Sequence, residues 1–268
     1  MWKAVQRFEE NRDGRDFAIG DIHGSYDIVF RAMDKARFDP ARDRLFSVGD
    51  LIDRGSASER AAEFLELPFV HACKGNHESM LLGIYRHGEP SERELVYKVS
   101  QNNQQWWLNV TPEQQQRLLA ALSALPIVME VQTARGPVGL VHADIPPRMD
   151  WATFVASVEA DNPSTLLTAL WGRDRIDAES HAGVKGIGRV FVGHTPRYGG
   201  LRRYGNVIAI DTGAVYAELG YQRDTRLTMV NLLCKTRVID EKTEPTLIDI
   251  RDTPSTSTRP FEQYAASL

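Results

Sequence analysis

Short apolar runs alternate along this chain with stretches whose apolar positions recur at helical spacing, and that alternation predicts stacked strands and helices of an α/β architecture. The strand candidates are residues 16–20, 44–49, 69–75, 137–142, 189–194 and 206–211. The helix candidates are 25–36, 58–67, 79–87, 113–124 and a short one at 153–158. Five of the six strands run directly into a polar cluster: GDIHG, GDLIDRG, GNHE, HAD and GHT. Ligands in open α/β sheets bind beyond the carboxyl ends of strands, so clusters far apart in sequence are expected to converge on one site. Gly20, Gly24, Gly49, Gly55, Gly75 and Gly193 fit this, because a chain leaving a strand to aim a side chain inward needs tight turns.

Composition narrows the class without naming a partner. A chain of 268 residues with 42% hydrophobic and 25% charged residues can bury a sizeable core, and one domain over residues 1–250 is expected. Residues 251–268, rich in Ser, Thr and Pro, read as a loosely held tail. No apolar run is long enough to span a bilayer, and the N-terminal segment lacks the features of a secretory leader, which points to a cytoplasmic setting and no membrane partner. Cys73 and Cys234 have no CxxC spacing and read as buried apolar residues of a reducing compartment. A formal net charge of −4 offers no overall attraction for nucleic acid.

The clusters supply carboxylates from Asp21 and Asp50, imidazoles from His23, His142 and His194, and an amide oxygen from Asn76. A mixed oxygen and nitrogen set without thiolates suits manganese, iron or zinc. Six donors exceed what one closed structural site takes, whereas two ions sharing them keep positions open for water and substrate. Asp50, from the middle cluster, is the natural shared carboxylate.

The ordered motifs Gly20-Asp21-Ile22-His23-Gly24, Gly49-Asp50-Leu51-Ile52-Asp53-Arg54-Gly55 and Gly75-Asn76-His77-Glu78, followed by His142-Ala143-Asp144 and Gly193-His194-Thr195, resemble the metallophosphoesterases. Within them the chain looks like the PPP-type serine/threonine protein phosphatases, most of all their compact bacterial and bacteriophage branch, over residues 16–216. The resemblance implies a metallophosphatase-type β-sandwich of two mixed sheets flanked by helices, with the active site at the C-terminal ends of strands. It implies two divalent ions, manganese in first place with iron or zinc as alternatives. Asp21, His23 and Asp50 would hold one ion, and Asp50, Asn76, His142 and His194 the other.

The same resemblance assigns His77 as general acid to the leaving alkoxide, with Asp53 orienting it. Arg54 can grip two phosphate oxygens bidentately. The second arginine of the branch lies in a Trp-x-Arg segment, here Trp171-Gly172-Arg173, so Arg173 is favoured over Arg175. The expected reaction is direct hydrolysis by a hydroxide bridging the ions, without a covalent phosphoenzyme, on a phosphorylated protein or peptide. A monomer and tolerance of phosphotyrosine or phosphohistidine beside phosphoserine and phosphothreonine are expected.

Several residues carry duller expectations. Glu78, Thr195 and Asp144 read as supports behind the donors, and Asp211-Thr212-Gly213 as a further strand end beside them. His71, His87 and His181 have no motif around them and read as packing or surface residues. Trp106 and Trp107 read as anchors of a loop on the core. Arg148, Arg202 and Arg203 could border the cleft. The alternative function is symmetrical hydrolysis of dinucleoside tetraphosphates; enzymes of that kind usually carry alanine where Asp53 stands and GNHD where this chain has GNHE.

Overall fold

In the computed structural model, which describes residues 3–221 and 224–233 and the backbone of 247–250, all six expected strands form. The strands are β1 (Val5–Phe8), β2 (Asp16–Ile19), β3 (Arg44–Ser47), β4 (Val70–Ala72), β5 (Val128–Val131), β6 (Val138–Val141), β7 (Arg189–Val192), β8 (Arg202–Tyr204), β9 (Val207–Ala209), β10 (Leu227–Asn231) and β11 (Leu247–Ile250). The helices are α1 (Tyr26–Lys35), α2 (Ala61–Leu65), α3 (Asn76–Ile84), α4 (Glu92–Gln101), α5 (Pro112–Ser123), α6 (Trp151–Glu159), α7 (Pro163–Trp171), α8 (Asp174–Asp177) and α9 (Ala214–Glu218), with 3-10 turns at Ser58–Arg60 and Gln105–Asn109. The tail expected from residue 251, and Cys234, lie outside the described residues.

The strands form two mixed sheets, ordered β1-β5-β6-β7-β9-β8 and β11-β10-β2-β3-β4. Alternation along each strand divides the apolar residues among three layers. Phe46, Ala18 and Val230 of one sheet meet Met129, Leu140, Phe191 and Ile208 of the other in the seam between the sheets. Neighbouring residues in the same strands point outward: Phe17, Leu45 and Met229 pack under α1, α2, α3 and α5, and Val128, Val190 and Val207 under α6 and α7. With both faces covered, strands such as β2 and β6 are buried at every position, which is why they read as continuous apolar runs. Each fully buried side chain of this kind stabilises the fold by roughly 1.5–3 kcal/mol.

The topology is what builds a site. β2, β3 and β4 run parallel in one sheet, and β6, β7 and β9 run parallel in the other. Three chain reversals from each sheet therefore open at one rim of the sandwich, and every polar cluster sits there.

One difference in helix boundary bears on the site. The helix expected at 79–87 begins at Asn76. Glu78 Oε2 accepts the Gly75 N–H at 2.7 Å, which caps the helix inside GNHE and makes Asn76 and His77 part of its first turn. Helices α4, α7, α8 and α9 lie outside the expected set, although α4 and α7 carry start signals, Ser91 with Glu94 for one and Asn162-Pro163 for the other. Their weakly apolar or short periodic stretches hid them.

Candidate active site

The rim is built from backbone that ordinary residues avoid. Among the ten described non-glycine residues with positive φ are His23 (49°), Asp50 (51°), Asp53 (73°), Arg54 (70°) and His194 (68°). Such conformations cost about 1–2 kcal/mol each and persist only where surrounding bonds over-determine them. Here the loops after β2 and β3 are laced together: Ile22 and His23 N–H groups donate to the Asp50 carbonyl at 3.1 and 2.8 Å, and Gly55 N–H donates to the His23 carbonyl at 2.9 Å. Two glycines mark places where no side chain fits. A Cβ on Gly193 would lie 2.0 Å from Asp21 Oδ1, and one on Gly75 would lie 2.2 Å from Asp50 Oδ1.

Asp50 stands at the centre, and its two oxygens face different ways. Oδ2 lies 3.6 Å from His23 Nε2 and 3.9 Å from His77 Nε2, whereas Oδ1 lies 3.4 Å from His142 Nε2. Two groups able to hold a metal ion follow, His23 with Asp50 and His77, and Asp50 with His142 and His194, sharing that one carboxylate. Asn76 Oδ1 joins the second group at 2.8 Å from both His142 Nε2 and His194 Nδ1. Asp21 falls outside both groups; its two oxygens accept the His194 backbone N–H at 3.1 and 3.0 Å.

The hydrogen-bond partners of the imidazoles fit this donor set to cations. His142 Nδ1 faces the Val48 carbonyl at 3.0 Å and His23 Nδ1 the Ile52 carbonyl at 2.9 Å, so each Nδ1 carries the hydrogen and each Nε2 presents a lone pair. His142 Nε2, Asn76 Oδ1 and Asp50 Oδ1 then converge as acceptors with at most one hydrogen, on His194 Nδ1, to share among them. Burial lowers His23 and His194 to about 3 and lowers His142 as well, holding the imidazoles in the neutral form a metal needs. Carboxylates respond to the same crowding. Burial first, then the neighbouring acids, lifts Asp211 and Glu78 to about 7 and Asp21 well above its usual range. Burial pushes Asp50 up too, but His142, His77 and His23 outweigh it and hold this carboxyl well below the usual range. A buried, anion-rich cluster with lone pairs facing lone pairs is the environment that bound divalent ions relieve.

Beside the shared carboxylate lies a second constellation. His77 Nδ1 donates to Asp53 Oδ2 at 2.6 Å, and Arg54 spans the two imidazoles, with NH1 2.5 Å from His23 Nε2 and NH2 3.0 Å from His77 Nε2. Burial works against protonation of His77, but the Asp50 and Asp53 carboxylates overcome it and raise the imidazole above its usual value. Glu78 braces the floor: its carboxylate accepts backbone N–H groups from Asp50, Leu51 and Ile52 at 3.0, 2.8 and 3.3 Å.

The arginines after the fourth cluster separate cleanly. Arg175 is buried and bound to Asp144 Oδ1 at 2.8 Å, which removes both residues from the cleft. Arg173 keeps a free edge, with NH1 donating to Thr195 Oγ1 at 3.0 Å, and its charge lowers His142 and His194. Trp171, 41% exposed, stands edge-on to His194 with ring centres 6.0 Å apart, at the mouth of the cleft. Arg202 and Arg203 line a polar cavity with Pro196, Arg197 and Tyr198. His71 packs between Phe8 and Phe46, and His87 and His181 are exposed.

Two residues of the loop before α5 reach the site without any sequence motif to mark them. Trp107 is fully buried, as a core anchor should be, but Trp106 turns its indole N–H onto Asp53 Oδ1 at 2.6 Å, and Gln104 Nε2 reaches Asp53 Oδ2 at 2.8 Å. Nothing local in QNNQQWW signals this, because the partner lies some fifty residues away and meets the loop only in the fold.

Comparison with known proteins agrees with the geometry. Serine/threonine-protein phosphatase 1 of Salmonella typhimurium is 33% identical over 217 residues, covering 79% of this chain and 92% of the relative. The symmetrical bis(5'-nucleosyl)-tetraphosphatase of Methylococcus capsulatus is 33% identical over 159 residues, covering 57% of this chain and 50% of that protein. Among solved structures, a protein serine/threonine phosphatase from Saccharomyces cerevisiae shares the fold at a TM-score of 0.56 with 18% identity, over 93% of this chain and 83% of that one. The calcineurin-like phosphoesterase family matches residues 17–210, from β2 through the strand end beyond β9 and across every cluster described above, and the chain belongs to that family.

Proposed function

We propose that the protein is a metal-dependent phosphomonoester hydrolase that removes phosphate from phosphoserine and phosphothreonine in proteins. The observation that carries this reading is the buried Asp53–His77 pair at 2.6 Å beside the two-faced carboxylate of Asp50. An alkoxide leaves poorly without a proton, whereas a phosphate anhydride needs less help, so an oriented acid imidazole suits an ester of an alcohol. Similarity to the Salmonella phosphatase along 92% of its length supports the same substrate class.

In this reading Asp21, His23 and Asp50 hold one divalent ion and Asp50, Asn76, His142 and His194 the other, with manganese first and iron or zinc as alternatives. Bound there, the ions supply Lewis acidity and make water a nucleophile at neutral pH. The chain's own groups do the rest. Arg54 and Arg173 bind the phosphoryl oxygens and neutralise charge that grows in the transition state. Arg54, which donates to His77 Nε2, turns to the phosphate and frees that nitrogen to carry a proton. His77 then delivers it to the leaving oxygen, while Asp53 keeps the imidazole aimed and charged. Attack is direct, and no side chain is phosphorylated.

Two assays test the reading. Metal-reconstituted protein is offered phosphoserine, phosphothreonine and phosphotyrosine peptides alongside diadenosine tetraphosphate. Phosphoserine or phosphothreonine peptides are expected to lead in kcat/KM by about tenfold or more, with measurable phosphotyrosine turnover because an open cleft discriminates weakly. Preference for the dinucleotide would replace the reading with the tetraphosphatase one. His77→Asn is expected to lower kcat on a phosphoserine peptide by roughly 10²–10⁴ at unchanged metal content.

A further inference from the structure

We propose that Gln104 and Trp106 are positioning residues for proton delivery, fixing the Asp53 carboxylate that aims His77 and so setting how poor a leaving group the enzyme can expel. This rests on the phosphomonoesterase reading above.

Asp53 is 1% exposed, so its two oxygens depend on protein donors for their hydrogen bonds. Each oxygen is assigned. Oδ2 takes His77 Nδ1–H at 2.6 Å and Gln104 Nε2–H at 2.8 Å, and Oδ1 takes the Trp106 indole N–H at 2.6 Å. A carboxylate held by His77 alone could swing about its terminal torsion, which is a soft one. Donors on both oxygens stop that rotation and hold the Oδ2 lone pair on the imidazole.

The two donors are themselves immobilised, and this distinguishes a built support from a chance contact. Gln104 is fully buried, and its Oε1 accepts from Asn102 Nδ2 at 3.1 Å, which leaves Nε2 as the end that faces Asp53. The same Nε2 also lies 3.3 Å from the His77 carbonyl, so one amide ties together both members of the pair. Trp106 stands perpendicular to the fully buried Trp107 ring at 5.5 Å, and Trp107 is pinned by its own N–H to Tyr85 Oη at 2.7 Å. An indole N–H is a donor only, so Asp53 Oδ1 is the accepting partner of this bond. Asp53 and Arg54, consecutive in left-handed backbone at φ 73° and 70°, are a place where such over-determination is needed.

A support of the acid step has a signature that a merely structural contact lacks: its loss is felt in proportion to how much protonation the leaving group requires. Trp106→Phe keeps the ring and removes the donor, and Gln104→Met keeps the length and removes the amide. Wild type and both variants, metal-loaded and assayed for metal content, are compared on a phosphoserine peptide and on p-nitrophenyl phosphate, whose phenolate departs with little help. Expected is a fall in kcat on the phosphoserine peptide of roughly 10- to 100-fold, part of the ~10²–10⁴ that positioned proton transfer contributes, with KM unchanged and p-nitrophenyl phosphate turnover within about threefold of wild type. Equal losses on both esters, or no loss on either, overturn the proposal and leave the phosphatase reading intact. A wild type inert toward both esters removes that reading and this one with it. Should Trp106→Phe fail to fold, the split is read from Gln104→Met.

Discussion

A single residue can carry a pH dependence that has nothing to do with catalysis, and His71 is one. It sits between the rings of Phe8 and Phe46, and burial, helped by the Arg44 guanidinium, lowers its imidazole from 6.5 to about 4. The unfolded chain takes up a proton on this side chain below about pH 6.5, whereas the folded protein does not until about pH 4. Its contribution to stability is therefore whole above that window, is lost as pH falls from about 6.5 to about 4, and changes no further below. The loss amounts to about 1–3 kcal/mol. Urea midpoints of wild type and His71→Phe across this range should converge at neutral pH in slope and diverge in acid, the variant holding its stability better; parallel curves would refute it. That His71 is a packing residue was legible from the absence of any motif around it. That it titrates low was not, because its aromatic neighbours come from β1 and β3.

Among the elements, the joint between β3, β4 and α3 shows how loops are locked into uncommon backbone. Glu78, on the first turn of α3, accepts four backbone N–H groups: Gly75 at 2.7 Å, Asp50 at 3.0 Å, Leu51 at 2.8 Å and Ile52 at 3.3 Å. One carboxylate thus caps its own helix and fixes the neighbouring loop that carries Asp50. Glu78→Gln sets an amide NH₂ against N–H donors, and we expect a stability loss of about 1–3 kcal/mol. Metal affinity is expected to weaken by roughly 10- to 100-fold, since partners behind the ligands orient them. Thermal melting and a metal titration check both, and an unchanged melting temperature together with unchanged affinity would exclude this bracing role. The sequence placed Glu78 behind the donors through the GNHE motif, yet put the helix start after the motif, because apolar spacing marks the buried face and not the cap.

For the molecule as a whole, the sandwich concentrates buried acids where its parallel strands end. Asp21, Asp50, Asp211 and Glu78 are all 3% exposed or less and raise one another's proton affinity or share a neighbour that does. Divalent ions bound only by the folded state stabilise it by mass action, about 2.7 kcal/mol at one hundred times the dissociation constant. Calorimetry with manganese and with a chelator should show a clear rise and fall of the melting temperature, and indifference to both would count against metal binding at this rim. No described helix is long and apolar enough to cross a membrane. The sequence by itself determined the six expected strands, the five polar clusters that follow them and the family, because each cluster is a local unit of strand, glycine and side chain whose spacing is written in consecutive residues. Tertiary structure alone decided that Asp50 turns one oxygen to each group, that Asp144 takes Arg175 and leaves Arg173 to the cleft, and that Trp106 and Gln104 hold Asp53. Those outcomes depend on rotamers and loop paths where segments distant in the chain meet, and no local pattern encodes such a meeting.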